Sequence, residues 1–139
     1  MTVLRRRRDQ RGASAIEMAI VAPSFLLFIF AIVEVALWMH ARDVAIAAAR
    51  EGVATLRTVN TQDSPSRWET YVERKAEQTA NDLGDIQDPS ADAAYDDDNK
   101  RVTVTVKGGV IDLIPGWDLS VSGTASGLIE DFQPDLGEP

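Results

Sequence analysis

The feature that most constrains this chain is a long apolar run that begins directly after a basic leader. Residues 1–12 contain five arginines, and residues 13–39 then contain only two charged side chains, Glu17 and Glu34. A helix of that length reaches about 40 Å, which exceeds the hydrocarbon thickness of about 30 Å. The run therefore predicts a helix that crosses a membrane.

The arginines predict the orientation, because basic segments beside a span stay in the cytoplasm. The chain after the span is then extracytoplasmic, and Trp38 falls at the far lipid interface. A buried core helix is not favoured, since the rest of the chain is too small to cover it. A secretory signal cut near residues 45–47 remains open, although its apolar region is usually only about 7–15 residues. An uncleaved single-span anchor is also open.

Helical periodicity continues beyond the lipid-soluble part. An apolar stripe at three-to-four spacing extends the predicted helix from near Ala13 to near Leu56. Pro23 is expected to kink or loosen one of its turns. Small side chains near the end of this helix predict a face that allows close helix packing. These residues are Ala45, Ala48, Ala49 and Gly52.

The remaining sequence predicts a small α+β head. A second, short helix is expected to start at Ser64-Pro65-Ser66, where Ser66 and Glu69 fit a capping box, and to stop at Gly84. Its single apolar stripe consists of Trp68, Val72, Ala76, Thr79 or Ala80, and Leu83. Alternation over residues 101–107 predicts a strand, with 91–95 as its hairpin partner. Trp117, Leu119 and Val121 predict a further strand. The expected fold is thus a long helix, a second helix and a small antiparallel sheet.

Two segments of the head have more than one interpretation. Residues 110–115 are unusually apolar for a connection, and we expect a covered loop in preference to a patch for a partner. The aspartates at 96–98 resemble oxygen-rich calcium turns, but the later Gly and Glu of an EF-hand loop are missing. A solvated acidic turn is the favoured interpretation, and we predict no metal site.

Composition excludes several classes of function. Residues 13–139 carry nine Lys/Arg against twenty-one Asp/Glu, a balance of −12, so the head offers no basic surface for nucleic acid. The chain has no cysteine, which excludes disulfides and thiol catalysis. His40 is the only histidine, and no phosphate-binding glycine loop or zinc spacing is present. We therefore expect no cofactor and no enzymatic activity.

The beginning of the apolar run also resembles a known family. The resemblance lies in Ile32-Val33-Glu34, in Ala48-Ala49-Arg50-Glu51-Gly52 and, above all, in Arg11-Gly12-Ala13-Ser14-Ala15-Ile16-Glu17-Met18-Ala19-Ile20-Val21-Ala22-Pro23. These motifs resemble TadE-like minor pseudopilins (TadE or TadF) of the bacterial tight-adherence (Flp, type IVc) pilus systems. The later Ser122-Gly123-Thr124-Ala125, followed by Glu130, is similar to the end of that family's C-terminal region.

The resemblance implies that a prepilin peptidase cleaves between Gly12 and Ala13, which makes Glu17 the fifth mature residue. The new ammonium group on Ala13 would then lie one turn from the Glu17 carboxylate, in the same chain or a neighbour. Such pairing makes a charge in an apolar setting far less costly. Met18 in place of the usual Tyr, and the length of the chain, indicate a minor subunit instead of a major pilin.

Glu34 has two interpretations. It is either an interfacial carboxylate that Arg42 approaches, or a contact with another subunit in the membrane. With Glu17 and Pro23, it is assigned to helix registration and subunit pairing.

These expectations divide the chain into four parts: a cytoplasmic leader (1–12), a pilin-like transmembrane helix (13–57), an exported head (58–131) and a loose tail (132–139). The predicted function is a structural or assembly subunit of a tight-adherence pilus in the bacterial inner membrane. Its expected partners are the peptidase, other pilins, the inner-membrane assembly platform and the lipid bilayer. The alternative is an uncleaved single-pass anchor that carries an extracytoplasmic binding module.

Overall fold

The structure, a computed structural model, confirms the α+β class. It describes the backbone of residues 6–56, 65–96 and 98–128, and side chains within 14–56, 68–96 and 98–128. The first five residues of the predicted leader, residues 57–64 between α1 and α2 and the predicted loose tail at 132–139 lie outside these ranges. The elements, in chain order, are α1 Arg6–Thr55, α2 Pro65–Leu83, β1 Gln87–Asp96, β2 Arg101–Gly109 and β3 Ser120–Leu128.

Helix α1 already includes Arg6, seven residues before the expected start at Ala13. Arginine is a good helix former, so the leader extends the helix without a break. The helix is also continuous across Pro23, which lacks the N–H that would bond to the carbonyl of Ala19. At the next residue, the Ser24 hydroxyl donates to the carbonyl of Ile20 at 3.2 Å. Serine hydroxyls commonly make this bond within helices.

Helix α2 buries the stripe that the sequence predicts. Its buried residues recur every four positions, as Trp68, Val72, Ala76 and Ala80. Leu83, which was expected in the same stripe, is half exposed. The helix ends at Gly84, whose φ of 74° is the left-handed conformation typical of a helix C-terminus. Its N–H donates to the carbonyl of Ala80 at 3.2 Å, as a terminating residue does.

The three strands form one antiparallel sheet in the order β1-β2-β3. Alternate residues of the central strand, Val102, Val104 and Val106, are fully buried beneath the two helices. β3 starts at Ser120, so the expected strand over 117–121 is wrong except at its end. Glycine, serine and threonine fill most of β3, and these small residues mask the apolar alternation that identifies a strand.

Strand β3 runs alongside α1, away from the apolar end of the helix. Trp38 contacts Ser120, and a Cβ at Gly123 or Gly127 would meet Ala45 or Val53 respectively. Fifteen residues of helix and seven of strand each advance about 23 Å, so the two elements stay in register. The sheet is therefore mounted lengthwise on the second half of α1.

Helix α2 caps the free edge of β1 with two glutamates. Glu73 Oε1 accepts a hydrogen bond from the backbone nitrogen of Ala93, and Glu77 Oε1 accepts one from Ala91, both at 3.1 Å. Unpaired strand edges invite pairing with other chains. These two side chains therefore occupy backbone donors that an incoming strand would otherwise use.

Candidate functional site at the base of the head

The apolar part of α1 from Ser14 to Phe30 is not covered by the rest of the described chain. From Ser14 to Phe30 every residue is exposed, and the side chains include Ile16, Phe25, Leu27 and Phe28. By length and composition, α1 is able to cross a membrane. Glu17 is exposed among these apolar neighbours. An apolar surface of this size requires lipid or other helices around it.

Glu34 marks the point where α1 becomes covered. The residue is fully buried, and its Oε2 accepts a hydrogen bond from the backbone nitrogen of Leu113 at 2.8 Å. Oε1 is buried too, and it has no hydrogen-bond partner within the described residues. Arg42 is exposed, and among the residues that the structure describes no ion pair joins it to Glu34. The expected approach of Arg42 is therefore replaced by a contact with the chain's own head.

One turn beyond Glu34, a second polar contact holds the head to the helix. The indole Nε1 of Trp38 donates to the carbonyl of Ser120 at 3.1 Å. Nearby, His40 Nε2 lies 3.1 Å from Asp85 Oδ2, but both side chains are about half exposed. Exposed pairs of this kind contribute roughly 0–1 kcal/mol. Trp38 and Glu34, which both lie on α1, therefore make the two polar contacts that attach this end of the head to the helix.

Their partner is the connection between β2 and β3, residues 110–119, which we call the base loop. Hydrogen bonds from Val110 N to the Leu119 carbonyl (3.0 Å) and from Leu119 N to Asp112 Oδ1 (3.2 Å) close its two ends together. Val110 is buried, whereas Ile111 and Leu113 are exposed by 50% and 41%. The expectation of a covered loop is thus wrong for most of residues 110–115, since only Val110 is buried and only Ile114 is partly buried.

The small residues of α1 lie inside the head. Ala45, Ala48 and Ala49 are fully buried, and Gly52 is buried beside them. A Cβ on Gly52 would lie 3.1 Å from the Cβ of Ala76 on α2. In this chain, therefore, the small face permits close packing of α1 against its own second helix and sheet.

The acidic turn after β1 is held by its own side chains. Asp96 accepts hydrogen bonds from the backbone nitrogen and side-chain amide of Asn99, and from the backbone nitrogen of Asp98. The side-chain bond from Asn99 is the largest cause that lowers the pKa of Asp96 below its ordinary value. No group of three potential metal ligands occurs among the described residues.

Sequence reasoning found the uncovered helix and Glu34, but it missed what Glu34 contacts. The hydrogen bond to Leu113 joins residues 79 positions apart, which no local pattern reveals. The one available signal was the apolar character of residues 110–115. That apolar character pointed to the segment that contacts Glu34, but we interpreted it as a covered loop, whereas most of its residues are exposed.

The fold and this attachment define a class of protein, a small α+β head carried on a single N-terminal helix that fits a membrane anchor. Within that class, residues 12–54 match the family of TadE-like proteins. This match confirms, over residues 12–54, the resemblance seen in the sequence. It begins at Gly12 and ends before α2, so the similarity noted at Ser122–Ala125 lies outside it. Neither curated proteins nor solved structures give a match to this chain.

Proposed function

We propose that this chain is a minor pseudopilin, a structural or assembly subunit of a bacterial tight-adherence pilus. In this proposal it is inserted in the inner membrane with its N-terminus cytoplasmic and its head extracytoplasmic. A prepilin peptidase then removes residues 1–12. The observation that carries the proposal is the division of α1 into an uncovered apolar half and a half that forms the core of the head.

That division suits a subunit that must exist in two environments. In the bilayer, lipid covers the exposed side chains of α1, and in an assembly the helices of other pilins replace the lipid. The head does not supply this cover, because its contacts begin at Glu34. A force applied to the helix is transmitted to the head, since α1 passes into the core without a break.

The family match supports the processing step because it starts at Gly12, the residue that precedes the proposed cleavage. Cleavage would place a new ammonium group on Ala13, one helical turn before Glu17. The exposed position of Glu17 leaves its carboxylate accessible to the ammonium group of its own chain or of a neighbouring subunit. Pairing there would set the register between adjacent helices in the apolar layer.

Replacement of Gly12 by phenylalanine tests the proposal in cells that lack the native gene. We expect the full-length precursor to accumulate in the membrane and surface pili to be lost. Gln10→Phe, a substitution of the same bulk within the leader, is the matched control and is expected to be processed normally. Normal piliation with an uncut Gly12→Phe precursor would instead support the uncleaved anchor with a binding module.

A further inference from the structure

The base loop presents apolar side chains outward although its backbone is tied to the protein. Ile111, Leu113 and Trp117 are exposed by 50%, 41% and 48%. Most other large apolar side chains that are exposed among the described residues lie on α1. Tyr71, Leu83 and Leu128 are the exceptions. The loop and the apolar half of α1 therefore share a surface chemistry that the remainder of the head lacks.

The hydrogen bond between Glu34 and Leu113 fixes the level of the loop along α1. From Ala13 to Glu34 the helix advances about 30 Å, which equals the thickness of a hydrocarbon core. A helix that enters the lipid near Ala13 thus leaves it near Glu34. Because Leu113 N lies 2.8 Å from the Glu34 carboxylate, the loop is at the outer boundary of the bilayer.

Several backbone donors of the loop are also bonded within the protein. Its donors at Leu113, Trp117 and Leu119 are bonded to Glu34, to the Ile114 carbonyl and to Asp112 respectively. Unpaired backbone donors are expensive in an apolar medium, so a segment that approaches lipid must satisfy them within the protein. Tryptophan is in addition the residue most typical of the lipid interface.

We propose that the base loop inserts Ile111, Leu113 and Trp117 into the outer interface of the bilayer that α1 crosses. This contact is a second attachment, which holds the head against the membrane until the subunit leaves it. The inference rests on the membrane anchoring in the proposed function. The loop carries two carboxylates, Asp112 and Asp118, and no basic residue. The contact is therefore apolar, and zwitterionic lipid is sufficient for it.

Site-specific fluorescence tests this inference, because the chain has no cysteine and any single introduced cysteine is labelled alone. The full chain is reconstituted at low density in phosphatidylcholine vesicles with a polarity-sensitive probe on Leu113→Cys. Asn99→Cys is the aqueous control, since Asn99 lies at the opposite end of β2, about 25 Å away. Leu27→Cys, in the uncovered half of α1, is the lipid control.

We expect the probe at Leu113 to emit at shorter wavelength than the probe at Asn99. We also expect nitroxide lipids to quench it, and iodide to quench it at least threefold less than the probe at Asn99. An aqueous Leu113 probe together with a lipid-embedded Leu27 probe overturns the loop contact and leaves the anchor standing. If the Leu27 probe is aqueous, both are overturned. Shielding of Leu113 that appears only at high protein density, without nitroxide quenching, assigns the loop to a neighbouring subunit and also overturns the inference.

Discussion

The side-chain carboxyl of Glu34 accepts a hydrogen bond from the backbone nitrogen of Leu113. This bond joins a glutamate of the apolar helix to the base loop between β2 and β3. The joint lies where one face of α1 first becomes buried, after a stretch from Ser14 to Phe30 in which every residue is exposed. It fixes the position of the base loop along the helix, whereas the packing of the sheet on α1 sets the orientation of the head. In the proposed function, this fixed geometry would let the head follow the helix from the bilayer into an assembly.

Replacement of Glu34 separates its role as an acceptor from its charge. Glu34→Leu leaves the Leu113 N–H unpaired, and we expect a loss of about 1–3 kcal/mol in unfolding free energy. Glu34→Gln keeps an acceptor oxygen, and a loss below about 1 kcal/mol is expected. Hydrogen exchange at the Leu113 amide is the direct measurement. It should become fast in the Leu variant and stay slow in the Gln variant, and slow exchange in both would refute the joint.

Gly123 should tolerate no side chain, because a Cβ there would overlap the backbone of Ala45 and Ile46. We expect Gly123→Ala to destabilise the head by about 3 kcal/mol through overpacking. Gly109→Ala is the control, since its Cβ would lie 3.6 Å from Gln87 in ordinary contact. Chemical unfolding in detergent, followed by the near-ultraviolet signal of buried Trp68, compares the two. Equal stability of the two variants would show that β3 does not lie against α1 as described.

Glu17 should matter for assembly and not for insertion. With Glu17→Gln, the amount in the membrane should be unchanged, whereas co-purification with other pilins should fall about tenfold, or about 1.4 kcal/mol. The physical reason is loss of the proposed ion pair between Glu17 and the N-terminus that the proposed cleavage would create. Asp43→Asn, which removes an exposed charge from the head part of α1, should leave both quantities unchanged. Undiminished co-purification of the Gln variant would remove Glu17 from subunit pairing.

The turn after β1 predicts a small acid-dependent effect. Because hydrogen bonds from Asn99 and Asp98 lower the pKa of Asp96, the stability they supply is present above the ordinary aspartate pKa. It disappears as the pH falls through the lower pKa of the folded state. Asn99→Ala should raise the pKa of Asp96 toward its ordinary value, as followed by nuclear magnetic resonance of the carboxyl carbon. Asn81→Ala, in α2, should leave it unchanged, and an unmoved pKa in Asn99→Ala would contradict the assigned cause.

Elements with regular periodicity were predictable from the sequence, and those built on small residues were not. The four-residue repeat of Trp68, Val72, Ala76 and Ala80 and the alternation of Val102, Val104 and Val106 both correspond to buried faces. In contrast, β3 owes its place to close backbone contact at Gly123, which leaves no apolar pattern in the sequence.

The candidate site divides in the same manner. The uncovered helix is a property of local composition, so its sequence alone predicts it. Glu34 is buried because the base loop, which is distant in sequence, lies against it. The packing of the sheet along α1 brings the loop to that position. The glutamates that cap β1 were likewise hidden, because a helix-surface Glu has the same sequence signature whether or not it meets a strand edge.

The proposed processing is tested most simply by the intact mass and N-terminal sequence of the protein extracted from native membranes. We predict one species that begins at Ala13, the first residue after the arginine-containing leader. A protein that begins at Met1 would mean an uncut anchor, and one that begins near Ala48 would mean a secreted head. Either result would contradict the assignment of this chain as a processed pilus subunit.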